Sequence, residues 1–377
     1  MRLLIMAVQF KGGSLQGVVS IIRELVKFSD NEYHIVLSKE VKDQLHDVVY
    51  PVNMHVYDLP NKIGNHTINL FLNRWFFDRL ECRLNPDVVL CSSGPMYWKP
   101  KKPCLMGYNL GHHIYRDSPY YDIIDLAAKT RWFFRRTFHR WYFRREGDAF
   151  FVQTDDVNKR LRKYIGVSDI YTVSNTFSVA YLNIEDYPKK LPPREGNETR
   201  CLTISAFYPH KNLGVIKKVV DRLEELGRSD IQFVVTLPQD RYDQLFPSQY
   251  KDRIINVGFV PSKEGPSLYN ECDIMFLPTL LECFSASYAE AMIMRKPIIT
   301  SDMGFAHTVC KDAAIYFNPV DVNDIVDKLI RLVDDKELQK DLINKGEMQK
   351  GQFGTSEDRV KGILDLCEML KKKGKRR

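Results

Sequence analysis

Short apolar runs alternate with stretches of helical periodicity along most of the chain. Continuous apolar runs are typical of strands that are buried on both faces, as in a parallel sheet. Strands that alternate with helices form βαβ units, so the pattern predicts an α/β fold. The predicted strands are residues 3–8, 33–37, 88–90, 104–106, 150–153 and 171–173 in the first half, and 201–205, 231–236, 254–257, 273–277, 298–300 and 314–317 in the second.

The alternation lapses between residues 177 and 200, where Pro188, Pro192, Pro193 and Gly196 interrupt any period. Such a stretch is typical of an interdomain linker. A chain of 377 residues is long enough for two domains, each with its own core. We therefore predict a first domain at 1–176, a linker at 177–200, a second domain at 201–355, and a final helix with a basic tail at 356–377 that can pack back on the first domain.

One predicted βαβ unit carries candidate chemistry. The strand at 273–277 leads through Pro278 into a loop with Glu282, and a helix that begins near Ser285 carries Glu290 on its second turn. The backbone N–H groups at a helix start favour an anion, and small side chains let a phosphate approach. Two carboxylates beside such a site suit the hydroxyl groups of a ribose or another sugar. Lys211 follows the strand at 201–205 on the same predicted sheet edge, where it could neutralise a leaving pyrophosphate.

Cysteine use and hydropathy exclude several classes of protein. The eight cysteines are scattered without a C-x-x-C pair, which argues against both a zinc site and a disulfide framework and favours a reducing compartment. No apolar run reaches the length of about 18 residues that a spanning helix needs. The N-terminal apolar run is short and is predicted to be a buried strand rather than a signal peptide.

The net charge of +7 is concentrated in two stretches. Residues 131–145 contain six arginines, seven aromatic residues and no acid, and residues 371–377 carry six positive charges. One interpretation of 131–145 is an interfacial helix on an anionic membrane, assisted by the tail. The alternative is a helix buried on one side, with its arginines reaching the solvent. The rest of the chain is net acidic and lacks nucleic-acid-binding motifs, so we do not expect a nucleic-acid partner.

Several motifs in order give the second half a family resemblance. They are Glu282-x7-Glu290 with Phe284 inside it, His210-Lys211-Asn212-Leu213, the run 257–260, Asp312-Ala313-Ala314, and Phe317-Asn318-Pro319. Together they closely resemble the retaining nucleotide-sugar glycosyltransferases of family 4, the "group 1" transferases. The resemblance covers about residues 200–350 and is weaker in the first half. It implies the GT-B fold, in which two Rossmann-like parallel-sheet domains face each other across a cleft.

The resemblance also implies roles for individual residues. Lys211 would meet the diphosphate, Glu282 the transferred sugar, and Glu290 the ribose hydroxyls. Because the position that is usually arginine is Ala206 here, either His210 or an arginine from elsewhere would compensate at the diphosphate, or activity would be modest. Sugar and phosphate would be bound by the backbone amides of Phe284, Ser285, Ala286 and Ser287. The nucleotide base would lie beside Gly258, Phe259 and Val260. Two family positions differ here: Ala206 stands where relatives usually have arginine, and Thr308 where many have glutamate.

In the first domain, Gly12 and Gly13 form a strand–glycine–helix turn whose backbone could approach a ligand, before a helix predicted at 15–28. A plain tight turn explains these glycines equally well. Related transferases have a glycine-rich loop here that faces the cleft, and they present a histidine to the donor sugar from the region of His112 and His113. Either histidine could fill that role, and two ordinary polar loop residues would explain the sequence equally well, so both are retained as candidates.

These observations predict a retaining glycosyltransferase that uses a nucleotide-diphosphate sugar and a saccharide or lipid-linked saccharide acceptor. The sequence has no Asp-x-Asp pair, so we expect no metal ion and no cofactor. Bacterial surface polysaccharide synthesis is the usual setting of such chains, in the cytoplasm or on the inner face of its membrane. The alternatives are a nucleotide-sugar epimerase on the same scaffold and a glycoside hydrolase that uses Glu282 and Glu290.

Overall fold

The computed structural model describes residues 1–9, 12–60 and 70–375, and it divides into two compact units. The first unit comprises Met1–Ile114, Asp125–Ser174 and the chain from Ser356 onward, and the second comprises Tyr115–Ile124 and Asn175–Thr355. Each unit is built on one sheet of parallel strands. The predicted α/β class with two Rossmann-like parallel sheets is therefore confirmed.

The first unit has a seven-stranded sheet. Its strands are β1 (Arg2–Ala7), β2 (Glu32–Leu37), β3 (Met54–Asp58), β4 (Val88–Cys91), β5 (Cys104–Gly107), β6 (Ala149–Val152) and β7 (Ile170–Thr172). They lie in the order β3-β2-β1-β4-β5-β6-β7. The helices up to the end of this sheet are α1 (Gly12–Leu25), α2 (Lys39–Asp43), α3 (Leu70–Leu84), α4 (Gly111–Ile114), α5 (Tyr120–Ile123), α6 (Leu126–Glu146) and α7 (Asp155–Ile165), of which α5 belongs to the second unit.

The core of the first unit lies between its sheet, α1 and the last helix of the chain. In β1 every residue after Arg2 is buried, as expected for a central strand covered on both faces. Ile22 of α1 and Ile363 of the last helix belong to the same buried cluster as these strand residues. At the surface, Lys27 pairs with Glu357 of the last helix at 3.2 Å. The end of the chain is thus part of the first unit.

The second unit has a six-stranded sheet. Its strands are β8 (Thr199–Thr203), β9 (Ile231–Val235), β10 (Ile254–Asn256), β11 (Ile274–Leu277), β12 (Ile298–Ser301) and β13 (Ala314–Phe317), in the order β10-β9-β8-β11-β12-β13. The remaining helices are α8 (Val215–Glu225), α9 (Gln239–Leu245), α10 (Gly265–Asn270), α11 (Ala286–Ile293), α12 (Gly304–Cys310), α13 (Val322–Asp334), α14 (Lys336–Gln349) and, in the first unit, α15 (Ser356–Lys373).

The strand order places a crevice at the carboxyl edge of the second sheet. The chain runs from β8 outward to β9 and β10, and then returns to β11 on the other side of β8. At such a reversal the loops after the two central strands diverge, and ligands of open α/β sheets bind in the gap between them. The gap after β8 and β11 is therefore the expected binding position.

Several element boundaries differ from the sequence-based predictions. Helix α1 begins at Gly12 and ends at Leu25, three residues earlier than predicted at each end, and β3 was not predicted. Strand β8 begins at Thr199 rather than at residue 201. Its polar start resembles a linker, but Arg200 is buried because it pairs with Glu198 and donates to the carbonyl of Pro192 at 2.8 Å.

The division into units differs from the predicted domain ranges at two places. Residues 115–124 lie in the second unit, and residues 177–200, predicted as a linker, pack on that unit as well. The backbone N–H groups of Lys190 and Leu191 donate to the Glu271 carboxylate, each at 2.9 Å. Within the described ranges, no helix combines the length and the apolar character needed to cross a bilayer.

Candidate active site

The crevice of the second unit is bordered by the loop after β8 and the loop after β11. The first of these ends in a 3₁₀ turn, Pro209–Lys211. Asn212 then adopts the left-handed conformation, with φ 54°, and its side-chain amide donates to the carbonyl of Pro319 at 3.0 Å. Asparagine tolerates this conformation because its side chain can hydrogen-bond locally. The turn that carries Lys211 is therefore fixed just before α8 begins.

Leu280 holds the second loop in place through hydrogen bonds of its backbone. Its N–H donates to the carbonyl of His210 at 2.8 Å, and the Thr279 hydroxyl donates to the same carbonyl at 3.2 Å. On its other side the carbonyl of Leu280 accepts a hydrogen bond from the Ser118 hydroxyl at 2.7 Å. Ser118 and Leu280 are buried, so these bonds are shielded from water. Ser118 was not predicted, since nothing in its local sequence indicates a contact across 162 residues.

Lys211 and Glu282 form an ion pair between the two loops. Their side chains are only 15% and 13% exposed, respectively. At this degree of burial, a charge that loses its partner is destabilising, because water replaces the partner only in part. Lys211 therefore needs either Glu282 or another anion beside it. The structure brings together these two predicted residues, together with the backbone of His210.

Small, mostly buried residues surround the start of α11, directly after Glu282. Ser285 lies at the cap position in an extended conformation, and the helix begins at Ala286. Ser285 and Ser287 are buried, while the Phe284 ring lies edge-on to Phe353 at 6.2 Å between centroids. The N–H groups of a first helical turn lie outside the intrahelical ladder and attract anions. The residues predicted to cradle sugar and phosphate therefore carry backbone donors, and they follow Glu282 closely in the chain.

Glu290, one turn further along α11, has a different environment. Its carboxylate accepts a hydrogen bond from the Tyr181 hydroxyl, which favours ionisation, but burial outweighs that bond and raises the pKa of Glu290 to about 7. Tyr181 ends the 3₁₀ turn Val179–Tyr181. A Cβ atom at Gly265 would lie 2.2 Å from the Tyr181 hydroxyl, so glycine there leaves the space that the tyrosine needs. Tyr181 was missed because the surrounding sequence has no periodicity.

The loop after β10 is shaped by one amide side chain. The Asn256 side-chain oxygen accepts from the N–H of Leu237 at 2.9 Å and from that of Gly258 at 3.3 Å, which links the loops after β9 and β10. Gly258 has φ 71°, in the region that favours glycine. Phe259 is 81% exposed and Val260 is partly buried. The residues predicted to lie beside the nucleotide base are therefore on a loop with a fixed backbone, and this loop presents an aromatic ring to the solvent.

The positions that depart from the family pattern have ordinary local roles. Ala206 is exposed in the loop after β8. The Thr308 hydroxyl donates to the carbonyl of Gly304 one turn back in α12 at 2.8 Å. The ring of His210 stacks on Tyr208, with centroids 5.5 Å apart. Lys211 thus supplies the side-chain cation of the ion pair in this turn.

Gly12 and Gly13, predicted to form a turn before a helix, are the first two residues of α1 itself. Gly12 has φ 69°, which a residue with a Cβ atom rarely adopts. A Cβ atom at Gly13 would meet nothing within 4 Å among the described residues. Gly12 is therefore required by the backbone, and Gly13 leaves open space at the start of the helix.

His112 and His113 lie in α4, and the structure distinguishes them. The ring of His113 is 1% exposed among aromatic residues, with ring centroids 5.0 Å from His139 and 5.8 Å from Tyr164. Burial lowers the pKa of His113 to about 2. His112 is partly exposed and stacks on Trp132 at 4.2 Å, and burial lowers its pKa to about 4. Both rings are thus neutral at physiological pH, and of the two only His112 presents part of its ring to solvent.

The predicted site residues fall into two groups. The structure brings Lys211, Glu282 and the α11 start together at the carboxyl edge of the second sheet, and Glu290 follows on the same helix. Four predicted residues belong to the first unit: Gly12, Gly13, His112 and His113.

Comparison with known proteins identifies the second unit. Residues 183–349 match the family model described as glycosyl transferases group 1. The chain is 30% identical over 165 residues to the O-antigen chain mannosyltransferase RfbU of Salmonella typhimurium, an alignment that covers 41% of this chain and 44% of that protein. The chain spans about half the length of the curated relatives it matches.

Solved structures match over almost the whole length. A glycosyltransferase of Rickettsia africae has a TM-score of 0.70 at 14% identity and covers 98% of both chains. HepE of Anabaena, solved with UDP and glucose, has a TM-score of 0.69 at 12% identity and covers 98% of this chain and 100% of its own. At these identities the likeness establishes the fold. Residues 183–349 are therefore a domain of the glycosyl transferases group 1 family, in a chain with the GT-B fold.

Proposed function

We propose that this chain is a retaining glycosyltransferase, which moves a sugar from a nucleotide-diphosphate sugar to a hydroxyl group of a saccharide or lipid-linked saccharide. The observation that carries the proposal is the shielded Lys211–Glu282 ion pair at the carboxyl edge of the second sheet. It provides a cation for phosphate and a carboxylate for sugar hydroxyls inside the segment that matches the family. HepE, a protein of similar fold, was solved with UDP and glucose, which supports a donor of this class.

The donor diphosphate would bind between Lys211 and the first turn of α11. The lysine supplies a full positive charge, and the amides near Ser285 supply fixed dipoles, so both stabilise the charge that develops on the leaving phosphate. When the diphosphate arrives, it replaces Glu282 as the partner of Lys211. Glu282 is then released to accept hydrogen bonds from the transferred sugar. Phosphate binding and sugar recognition are coupled through this exchange of partners.

The nucleoside would lie between Glu290 and the loop after β10. An ionised carboxylate accepts hydrogen bonds from both hydroxyl groups of a ribose. The exposed Phe259 ring and the backbone of Gly258 and Val260 would border the base. In the transfer step, the acceptor hydroxyl attacks the face that the diphosphate leaves, and a leaving phosphate oxygen takes the acceptor proton. This route gives retention and needs no additional side-chain base.

The first prediction concerns Lys211. Lys211→Ala should leave nucleotide-sugar binding within about tenfold of wild type but lower kcat by about 10²–10³, because the lysine stabilises charge that develops mainly in the transition state. Thermal stabilisation by different nucleotide diphosphates identifies the donor, and transfer of labelled sugar measures kcat. NMR of the product reports the anomeric configuration.

Lys218→Ala, which removes an exposed lysine of α8, is the matched control and should retain wild-type kcat. Wild-type turnover in Lys211→Ala would refute the assigned role. An inverted product would refute the retaining mechanism. Release of free sugar from a glycoside without nucleotide would favour a hydrolase, and isomerised donor without acceptor would favour an epimerase.

The second prediction concerns the pH dependence of donor binding. The carboxyl of Glu290 has a pKa of about 7, so its neutral form dominates below that pH and accepts fewer hydrogen bonds from ribose. Affinity for the intact nucleotide sugar should therefore rise several-fold between about pH 6 and about pH 8. The intact donor is used because its diphosphate is esterified at both ends and does not titrate in this range.

Isothermal titration calorimetry across this range measures the effect. Glu290→Gln should bind the donor weakly at all pH values, with the rise abolished, and Glu290→Ala should show no measurable binding. Glu337→Gln makes the same exchange at an exposed position of α14 and should reproduce the wild-type curve. An identical rise in Glu290→Gln would show that another group titrates.

The third prediction concerns metal ions. Because Lys211 and the α11 amides supply positive charge to the diphosphate, we propose that transfer needs neither a divalent cation nor another cofactor. Sugar transfer should proceed at an unchanged rate after EDTA treatment and dialysis. Loss of transfer that is restored by Mg²⁺ or Mn²⁺ would contradict this.

We further propose that α6 holds the protein on an anionic membrane surface, the location expected for a lipid-linked acceptor. Four of its aromatic side chains are more than half exposed: Phe133, Phe134, Phe138 and Trp141. Phe134, Phe138 and Trp141 follow at intervals of four and three residues, so they share one face. The opposite face is buried through His139 and Phe143. Packing therefore divides the aromatic residues of α6 between an exposed face and a buried face.

The charges near this aromatic face suit phosphate headgroups. Three arginines, Arg140, Arg144 and Arg145, line a shallow groove of about 350 Å³ together with Thr137 and Trp141. Interfacial aromatics combined with nearby arginines are typical of surfaces that bind anionic membranes.

We expect the tail at 371–377 to contribute less to membrane binding than its six positive charges suggest. Lys371 pairs with Asp87 at 3.2 Å, and Lys373 pairs with Asp169 at 2.6 Å. Residues 376 and 377 of this stretch lie outside the described residues. Because these lysines already have anionic partners within the first unit, α6 is the principal membrane contact. O-antigen synthesis by RfbU supports surface polysaccharide assembly at the cytoplasmic face of a bacterial membrane as the setting.

The fourth prediction tests this surface. The triple variant Phe134→Ser, Phe138→Ser, Trp141→Ser should bind phosphatidylglycerol vesicles at least roughly tenfold more weakly than wild type in a sedimentation assay, because it loses the apolar area that enters the interface. Met348→Ser, at a residue of the second unit that is 81% exposed, is the control and should bind normally. Unchanged binding of the triple variant, or equal wild-type binding to neutral phosphatidylcholine vesicles, would contradict the proposal.

A further inference from the structure

Two histidines and a glutamate converge on one face of the first sheet. Glu32 and His34 are two residues apart in β2, so their side chains leave the same face. His55 in the edge strand β3 is the register partner of His34. Their rings stack with centroids 4.9 Å apart and an interplanar angle of 21°. Parallel pairing of two strands therefore assembles a cluster that neither strand contains alone.

The spacing of the three side chains suits a metal ion. The Glu32 Oε1 atom lies 3.0 Å from His34 Nε2 and 3.8 Å from His55 Nε2, and the potential ligand atoms all lie within 4.8 Å of one another. Zn²⁺ binds imidazole nitrogen and carboxylate oxygen at about 2.0–2.2 Å, so tetrahedral ligands are separated by roughly 3.4 Å. The observed separations bracket this value. His55 is 46% exposed, which leaves it room to adjust.

Two neighbouring side chains are positioned to support such an ion. The Tyr57 hydroxyl lies 3.0 Å from His34 Nδ1 and can accept a hydrogen bond from Nδ1–H. In that tautomer the lone pair of Nε2 points toward Glu32. Arg2 donates to the second carboxylate oxygen, Oε2, at 2.8 Å and leaves Oε1 for another partner. With the His34 proton on Nδ1, the lone pairs of His34 Nε2 and Glu32 Oε1 face each other at 3.0 Å. A cation bound between these two atoms would remove their repulsion. The competing arrangement is a direct hydrogen bond from Nε2–H to Glu32.

We propose that Glu32, His34 and His55 form a binding site for a divalent transition metal, with Zn²⁺ as the probe ion. Two imidazoles and one carboxylate favour Zn²⁺ and its neighbours over Mg²⁺ and Ca²⁺, which prefer oxygen ligands. The partly exposed Glu32 and His55 leave a fourth position for water. The site belongs to the first unit and involves none of the residues assigned to the donor.

The position in the fold indicates a structural role. Glu32 begins β2 and His55 is the second residue of β3, so the cluster lies at the amino edge of the sheet. Ligands of open α/β sheets bind at the opposite, carboxyl edge. A metal at this edge would cross-link the edge strand β3 to β2. It would stabilise the folded chain by binding it in preference to the unfolded chain.

The test is a zinc titration of the full-length chain without a histidine tag, by calorimetry and by thermal unfolding. Wild type should bind one Zn²⁺ per chain in this site, and its Tm should rise by on the order of 5 °C at zinc well above Kd. His55→Ala and Glu32→Gln should each weaken binding at least tenfold and abolish the Tm shift. His55 is the preferred position because its exposed side chain can be removed with little effect on folding.

His46→Ala is the matched control, since His46 is exposed and lies outside the cluster; it should bind zinc as wild type does. Absence of saturable binding by wild type would overturn the site and favour the direct hydrogen bond. Equal binding by His55→Ala and wild type would place the zinc elsewhere and would also overturn it. Sugar transfer should not change with zinc, so failure here is distinct from failure of the proposed transferase function.

Discussion

The position of the candidate site depends on two backbone hydrogen bonds of Leu280, one made by its N–H and one by its C=O. Its N–H is held by the carbonyl of His210 and its C=O by the hydroxyl of Ser118, so the loop after β11 is tied both to the loop after β8 and to the segment 115–124. Glu282 follows two residues later, so its backbone is held beside Lys211 while its side chain can change partners when an anion competes for the lysine. A buried ion pair gains from its Coulomb attraction only when its geometry is fixed, because otherwise desolvation outweighs the attraction. The backbone bonds supply that fixed geometry.

Local patterns in the sequence were sufficient to predict this part of the fold. The predicted strands that correspond to β8, β11 and β12 are buried on both faces, as expected inside a parallel sheet. In a parallel sheet all carboxyl ends lie at one edge, so the prediction that Lys211 and Glu282 follow two such strands placed both residues at that edge. Their direct contact depends in addition on β8 and β11 being neighbours in the sheet, which the pattern of apolar runs does not specify.

Other features depend on contacts between distant parts of the chain and could not be predicted locally. Tyr181 reaches Glu290 from a stretch without periodicity, and Ser118 reaches Leu280 across the boundary of the predicted domains. Strand β3 is a half-exposed edge strand, so its short sequence lacks a continuous apolar run. His113 resembled a loop residue beside its neighbour, but tertiary packing among aromatic rings encloses it. In each case the degree of burial determined which contacts the residue or strand makes, and a single sequence does not specify burial.

The two glutamates of the site differ in the partner that each has. Glu282 lies beside a lysine, whereas burial holds the pKa of Glu290 near 7 against the hydrogen bond from Tyr181. One carboxyl paired with a cation and one protonatable carboxyl would also satisfy a glycoside hydrolase. However, a hydrolase nucleophile paired with a lysine is weakened, because the cation withdraws electron density from the attacking oxygen. In the transfer that we propose, the same pair is used productively: the diphosphate takes over the lysine, and the carboxylate is released only when the donor is bound. The presence of Lys211 therefore favours transfer over hydrolysis.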